Sequence, residues 1–269
     1  MKLQSVPSRQ GAVWVRNGFR AFVRRPMAYA ALFATFMFVV FALAMVPLVG
    51  PLAVLALMPL VCQGFMIATR TVVEGGLPTP RVFIDPLRAP RARVVSMLQL
   101  GACYALATFA VMWLADIWDG GSLQAMLDAL PDGQASSEAA AAHLMDPDLA
   151  FGLLIRLGLA GLLSVPFWHA PALIYWEGLG CAKAIFASTV ACWRNRGAFM
   201  VYGIVWFGLV VGVCLVGGLV VAWLDQSALL AALAVPVSLM LTTVFYVGLY
   251  FTYADCFVAG PSEQPALAA

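Results

Sequence analysis

Long apolar runs separated by short polar turns organise this chain. Uninterrupted apolar stretches lie near 27–46, 51–69, 94–115, 149–175, 199–224 and 228–256, each close to or above the roughly 20 residues that a helix needs to cross a bilayer. The pattern predicts an all-α polytopic membrane protein with about six transmembrane helices in a single integral membrane domain over residues 1–269. Pro47-Leu48-Val49-Gly50-Pro51 joins the first two spans and Asp225-Gln226-Ser227 the last two, turns short enough only for tight helical hairpins. Pro59, Pro166, Pro171 and Pro236 fall inside spans and predict kinks where a backbone donor is missing.

Two further segments read as amphipathic interfacial helices. Over 8–25, Arg9, Arg16, Arg20 and Arg24 share one helical sector while Val15, Phe19 and Phe22 share another, so the arginines can face anionic headgroups from the interfacial layer. From about 179 to 196, Ala184, Ile185, Ala187, Val190 and Ala191 mix with Lys183, Arg194 and Arg196 in a weaker version of the same pattern. Each segment ends in a basic turn and feeds a span. The stretches 21–29 and 191–199 align loosely, as in an internal repeat of interfacial helix plus hairpin, with the third and fourth spans as an insert. Between the second and third spans, 75–93 carries Pro78, Pro80, Pro86 and Pro90 and reads as a stiff connector. The loop 116–148 is expected to hold two short helices, opening near Ser122 and Ser137, and Asp146-Pro147 to cap and start the fourth span.

Composition narrows the class. The 269 residues are 63% hydrophobic, against roughly 45–50% for a soluble globular domain. With 10% charged residues and a net charge of +2, the chain lacks the basic footprint of a nucleic-acid binder. A mean hydropathy of +0.93 excludes disorder. Charge also gives orientation. Lys2, Arg9, Arg16, Arg20, Arg24 and Arg25 precede the first span, Arg70, Arg81, Arg88, Arg91 and Arg93 lie between the second and third spans, and Lys183, Arg194 and Arg196 lie between the fourth and fifth. With six spans, these 14 of the 15 basic residues share one side, which the positive-inside rule makes cytoplasmic, together with both termini. The opposite loop carries Asp116, Asp119, Asp128, Asp132, Glu138, Asp146 and Asp148 and no Lys or Arg. The N-terminal stretch is not expected to be a cleaved signal, since its Arg-rich lead is long and the apolar run behind it can span.

Chemistry-bearing groups are sparse. An ionisable side chain within a span is costly and marks a candidate site. Arg156, about two turns into the fourth span, is one; Asp116 and Asp225, at the outer ends of the third and fifth spans, are its candidate partners, either in an ion pair or around an anion site. His169, between Pro166 and Pro171, could satisfy a carbonyl freed by Pro171 or relay a proton. The only other histidine is His143, across the membrane, so no metal site is expected. Cys62, Cys103, Cys181, Cys192, Cys214 and Cys256 are scattered singly without C-x-x-C spacing and are expected to be free thiols. Nucleotide-binding glycine motifs and paired carboxylates within one span are absent, and Ser164 with His169 lacks a third, orienting group. No enzyme activity or cofactor is expected. Gly208 and Gly212 form a G-x-x-x-G, with Gly158 and Gly161 on the fourth span, expected to serve intramolecular packing.

Several residues carry a family resemblance: Pro171-Ala172-Leu173, Gly178, Ala184, Ser188, Asn195 and Phe199; Gly11, Trp14, Gly18-Phe19-Arg20 and Arg24-Arg25-Pro26; and Gly64-Phe65-Met66 with Pro78-Thr79-Pro80. On these the chain resembles a family of uncharacterised bacterial inner-membrane proteins. It is similar in layout to the group that includes the membrane domain attached to some glycerophosphoryl diester phosphodiesterases. The resemblance implies six helices, cytoplasmic interfacial segments and no established activity. It also implies that Gly178 starts the amphipathic helix, that Ala184 and Ser188 allow close packing, and that Asn195 caps or turns it. The expected function is membrane organisation or lipid handling through Arg9, Arg16, Arg20, Arg24, Arg25, Lys183, Arg194 and Arg196, with membrane lipids as partners. The alternative is a small-solute or lipid transporter using Arg156 and His169, and a third reading is an intramembrane hydrolase using Ser164 and His169.

Overall fold

A computed structural model describes residues 2–47, 49–119, 147–224 and 227–258. Among these, the helices are α1 (Gln10–Arg24), α2 (Pro26–Ala44), α3 (Val49–Val73), α4 (Arg91–Asp119), α5 (Pro147–Phe167), α6 (Ala170–Tyr175), α7 (Cys181–Arg194), α8 (Arg196–Leu224) and α9 (Ser227–Cys256). Six helical segments are long and apolar enough to cross a membrane: α2, α3, α4, α5 continued by α6, α8 and α9. The expected outer-loop helices, His143, Asp146 and Asp225 lie outside the described residues.

An even number of spans returns the chain to the side where it began, and the ends meet there. Strand β1 (Lys2–Leu3) pairs antiparallel with β2 (Phe257–Val258). Asn195, the C-cap residue of α7, fastens the same junction. Its Oδ1 accepts from the Val6 backbone N–H at 2.8 Å, and its Nδ2 donates to the Gln4 carbonyl at 3.0 Å. Its role is therefore wider than the expected cap, because one amide offers both a donor and an acceptor to an extended backbone.

Helix α1 is amphipathic as expected, but its apolar face is spent on protein. It lies between α8 and α9, with Gly11, Trp14, Val15, Gly18 and Ala21 buried. A Cβ at Gly11 would collide with the Ala198 carbonyl oxygen and stand 2.6 Å from the Tyr202 nitrogen, and one at Gly18 would stand 3.2 Å from the Val244 carbonyl oxygen. Only glycine lets the backbones approach this closely. Trp14 packs on Phe199 and Tyr202, and Phe19 stacks on Trp206, so α1 runs beside α8 for about two turns. At its start, Gln10 Nε2 and Trp14 Nε1 each donate to the Asp255 carboxylate at 2.7 Å.

Three expectations need correction. The two candidate repeat units share an order of elements but not a packing: α1 inserts between α8 and α9, whereas α7 lies on α5 and α6. Gly178 has φ +69° and its N–H closes back on the Ile174 carbonyl, so it ends α6 instead of starting α7, as a left-handed residue after a helix does. The glycines of the G-x-x-x-G do not pack: a Cβ at Gly208 or Gly212, or at Gly158 or Gly161, would meet nothing within 4 Å. With α1 holding α8 and α9 apart at one end, no helix among the described residues comes close enough to the outer part of α8 to use them. The connector contains two short 3-10 turns, Pro80–Phe83 and Asp85–Arg88, and Phe83 packs against Phe65 of α3.

Gly11→Val should expel α1 from its groove, costing about 1–3 kcal/mol as for other overpacked sites. The expected outcome is a lower melting temperature in detergent and faster tryptic cleavage at Arg16 and Arg20. Gly203→Ala, where a Cβ meets nothing within 4 Å, should leave both unchanged.

Candidate functional site

The break between α5 and α6 brings together three buried polar residues, His169, Ser188 and Thr252. Continuing the helix would pair the His169 N–H with the Val165 carbonyl, four residues back. Instead the His169 N–H donates to Ser188 Oγ at 3.0 Å, and Ser188 Oγ donates to the Val165 carbonyl at 3.0 Å. A hydroxyl from α7 is thus inserted into the hydrogen-bond ladder, and such insertions bend helices. This is a stronger role than close packing alone. It also corrects the reading of His169, whose ring satisfies no proline-freed carbonyl.

The imidazole is fully buried. Its Nε2 lies 3.3 Å from Thr252 Oγ1, which donates to the Leu249 carbonyl and accepts from Trp168 Nε1 at 3.0 Å. With the hydroxyl proton on Leu249, Nε2 carries the ring proton, leaving Nδ1 to face Cys192 Sγ at 3.9 Å. Neither neighbour makes the histidine a base for a nucleophile. Burial pushes the Cys192 thiol up to about 12, away from the reactive thiolate. Ser164 Oγ donates to the Gly161 carbonyl of its own helix, and the hydrogen bonds of the ring go to Thr252 and Cys192.

At the opposite end of the spans, Arg156 on α5 pairs with Asp116 on α4. Arg156 is buried and the Asp116 carboxylate is half-exposed, so the pair ties the two helices together at the rim. A cavity of about 170 Å³ opens between α3, α4, α5 and α9, lined by Met58, Cys62, Tyr104, Ser164, Phe167 and Trp168 among others, and by neither Arg156 nor His169. The two candidate transport groups do not share this cavity. No cluster of three metal-ligating side chains occurs among the described residues, and the six cysteines are free.

The basic surface gathers at the end where the termini meet. Arg9, Arg16, Arg20, Arg24 and Arg25 are exposed, and none has an ion-pair partner among the described residues. Helix α7 presents two unlike faces. Ala184, Ser188, Ala191 and Cys192 are buried, while Phe186, Val190 and Trp193, on the opposite side, are exposed, Phe186 and Trp193 by about 70%. Lys183 and Arg194 flank that apolar stripe and are exposed, and the Arg196 guanidinium lies over the Trp193 ring at 5.9 Å. Phe186 and Trp193 escaped the sequence reading because α7 is apolar on both sides, and only the packing tells which side the protein uses.

Over 268 residues the chain is 34% identical to a probable inner membrane protein of Burkholderia thailandensis, an alignment covering 99% of this chain and 98% of that one. The chain belongs to that family. No family profile matches it, and no solved structure does. An inner-membrane location and six apolar spans therefore stand together: this is an integral membrane protein of the inner membrane, in a family of probable inner membrane proteins.

Ser188→Ala should strand the buried His169 N–H and leave the Val165 carbonyl only the longer Cys192 thiol contact at 3.6 Å, a loss of about 1–3 kcal/mol. It is expected to appear as reduced thermal stability with the oligomeric state unchanged. For the outer pair, a double-mutant cycle on Asp116→Ala and Arg156→Ala should give a coupling of about 0.5–3 kcal/mol in stability and abundance; strictly additive effects would remove the tie between α4 and α5.

Proposed function

We propose that this protein organises or handles lipid at the cytoplasmic surface of the inner membrane, and that it does so by binding anionic headgroups without catalysing a reaction. The observation that carries this reading is the exposed face of α7. Phe186, Val190 and Trp193 form an apolar stripe bordered by Lys183 and Arg194, the arrangement that lies in the interfacial layer with aromatic rings at headgroup depth. The exposed arginines of α1 extend the same positive surface, since its apolar face is occupied by α8 and α9. The basic end, with both termini, is the cytoplasmic side in this reading, because retained Lys and Arg mark that side. The likeness in layout to the membrane domain attached to some glycerophosphoryl diester phosphodiesterases belongs to this proposal as well. Transport through Arg156 and His169 is the alternative; their engagement in separate structural contacts, at opposite ends of the spans, favours the lipid reading.

Each basic residue near an anionic surface contributes on the order of 1 kcal/mol, so replacing Arg16, Arg20 and Arg24 by alanine should weaken retention of phosphatidylglycerol by about two orders of magnitude. Native mass spectrometry from mixed phosphatidylglycerol and phosphatidylcholine micelles reads this directly. Unchanged retention, with a small molecule released by Arg156→Ala, would transfer the case to transport.

A further inference from the structure

Helices α8 and α9 are consecutive, yet they touch only sparingly, because α1 fills the groove between them at the basic end. Beyond the end of α1 the groove continues as an open cleft of about 690 Å³, lined by Val210, Val213 and Gly218 on α8 and by Ala234, Val237 and Leu241 on α9, among others. That volume falls within the roughly 300–1,000 Å³ of small-ligand sites. The cleft has two hydroxyls, Ser238 and Thr242, and each is satisfied on its own helix, by the Val235 and Ser238 carbonyls. Nothing in this lining holds a polar solute; a hydrocarbon chain suits it. A Cβ at Gly218 would meet nothing within 4 Å, so the space is open at that point.

The mouth of the cleft carries the opposite chemistry. Phe19 stacks on Trp206, and Trp206 packs on Phe245. Each of these two rings lies one turn from a cleft residue on its own helix, Val210 and Leu241, and therefore on the same face. A second, shallow pocket is formed by Phe19, Arg20, Val23 and Arg24. Phe19 lines this basic pocket beside two exposed guanidinium groups and stacks on Trp206, which stands one turn below Val210 at the start of the cleft. From Trp206 to Val220, the last cleft residue on α8, the helix rises about 21 Å at 1.5 Å per residue, more than one leaflet of a hydrocarbon core about 30 Å thick.

We propose that Arg20, Arg24 and the α8–α9 cleft form one binding site for an anionic phospholipid of the cytoplasmic leaflet. Its phosphate sits on the two arginines and one acyl chain passes Phe19 and Trp206 into the cleft. The proposal rests on the lipid-surface reading above and adds a defined position and stoichiometry. A phosphate between two guanidinium groups forms charge-assisted hydrogen bonds, and the chain occupies space that the wedge of α1 keeps α8 and α9 from closing.

The test uses the full chain in native mass spectrometry with phosphatidylglycerol, and phosphatidylcholine as the control. One tightly held phosphatidylglycerol per chain is expected. Gly218→Phe and Ala234→Phe, which fill the cleft, should each lose it, and Arg20→Ala with Arg24→Ala should lose the preference over phosphatidylcholine. If the arginine variants lose phosphatidylglycerol while the cleft variants keep it, the cleft proposal falls and the surface reading stands. Loss in the cleft variants alone overturns the single combined site, and a doubled mass without lipid gives the cleft to a second copy. Absence of retained phosphatidylglycerol in the unmodified protein overturns both readings. Should the cleft variants not fold, the unmodified chain decides: phosphatidylglycerol with a diazirine on its acyl chain should label 210–220 and 233–242 saturably at low mole fraction, where the phosphatidylcholine analogue does not. Equal labelling by the two overturns the proposal.

Discussion

The arrangement of the last two spans depends on the close approach of α1 to α8 and α9. Gly11 and Gly18 bring the α1 backbone against those of its neighbours, and Asp255 holds its first turn through Gln10 and Trp14. In a bilayer the hydrophobic effect does not drive helices together, so close van der Waals contact and polar links must. Because α1 takes the groove at one end, α8 and α9 separate, and the glycines in the outer part of α8 stay open. The end of the chain is drawn into the same junction, through the pairing of β1 with β2 and through Asn195.

A second constraint acts at the α5–α6 break. Backbone donors and acceptors at membrane depth need partners within the protein. Pro166 and Pro171 make the segment hard to continue as regular helix, and Ser188 supplies the missing connection between the His169 N–H and the Val165 carbonyl. That requirement fixes which face of α7 turns inward, and so leaves Phe186, Val190 and Trp193 outward. Arg93 makes a similar contribution from α4, donating to the Tyr175 carbonyl at the end of α6 at 2.9 Å, where a basic group also suits the helix dipole. His169, the residue that the transport reading places at this break, is engaged there through its backbone N–H to Ser188 and its ring to Thr252.

Membrane class, number of spans and segregation of charge were legible in the sequence, because each follows from composition and length along one dimension: about 20 apolar residues make a span whatever they touch. Arg156 was legible as a charge within a span that needs a carboxylate, with Asp116 and Asp225 as alternatives, and the structure pairs it with Asp116. The destinations of the amphipathic faces were not. Periodicity shows that α1 and α7 have two sides, but not whether an apolar side meets lipid or protein; α1 turned its apolar side to α8 and α9, while α7 turned small residues inward and large ones outward. The roles of Ser188, Asn195, Thr252 and Asp255 depend on partners as many as 245 residues away, and the cleft depends on two helices failing to meet. Those features belong to the tertiary structure, because they arise from which surfaces compete for the same groove, and a linear pattern does not record that competition.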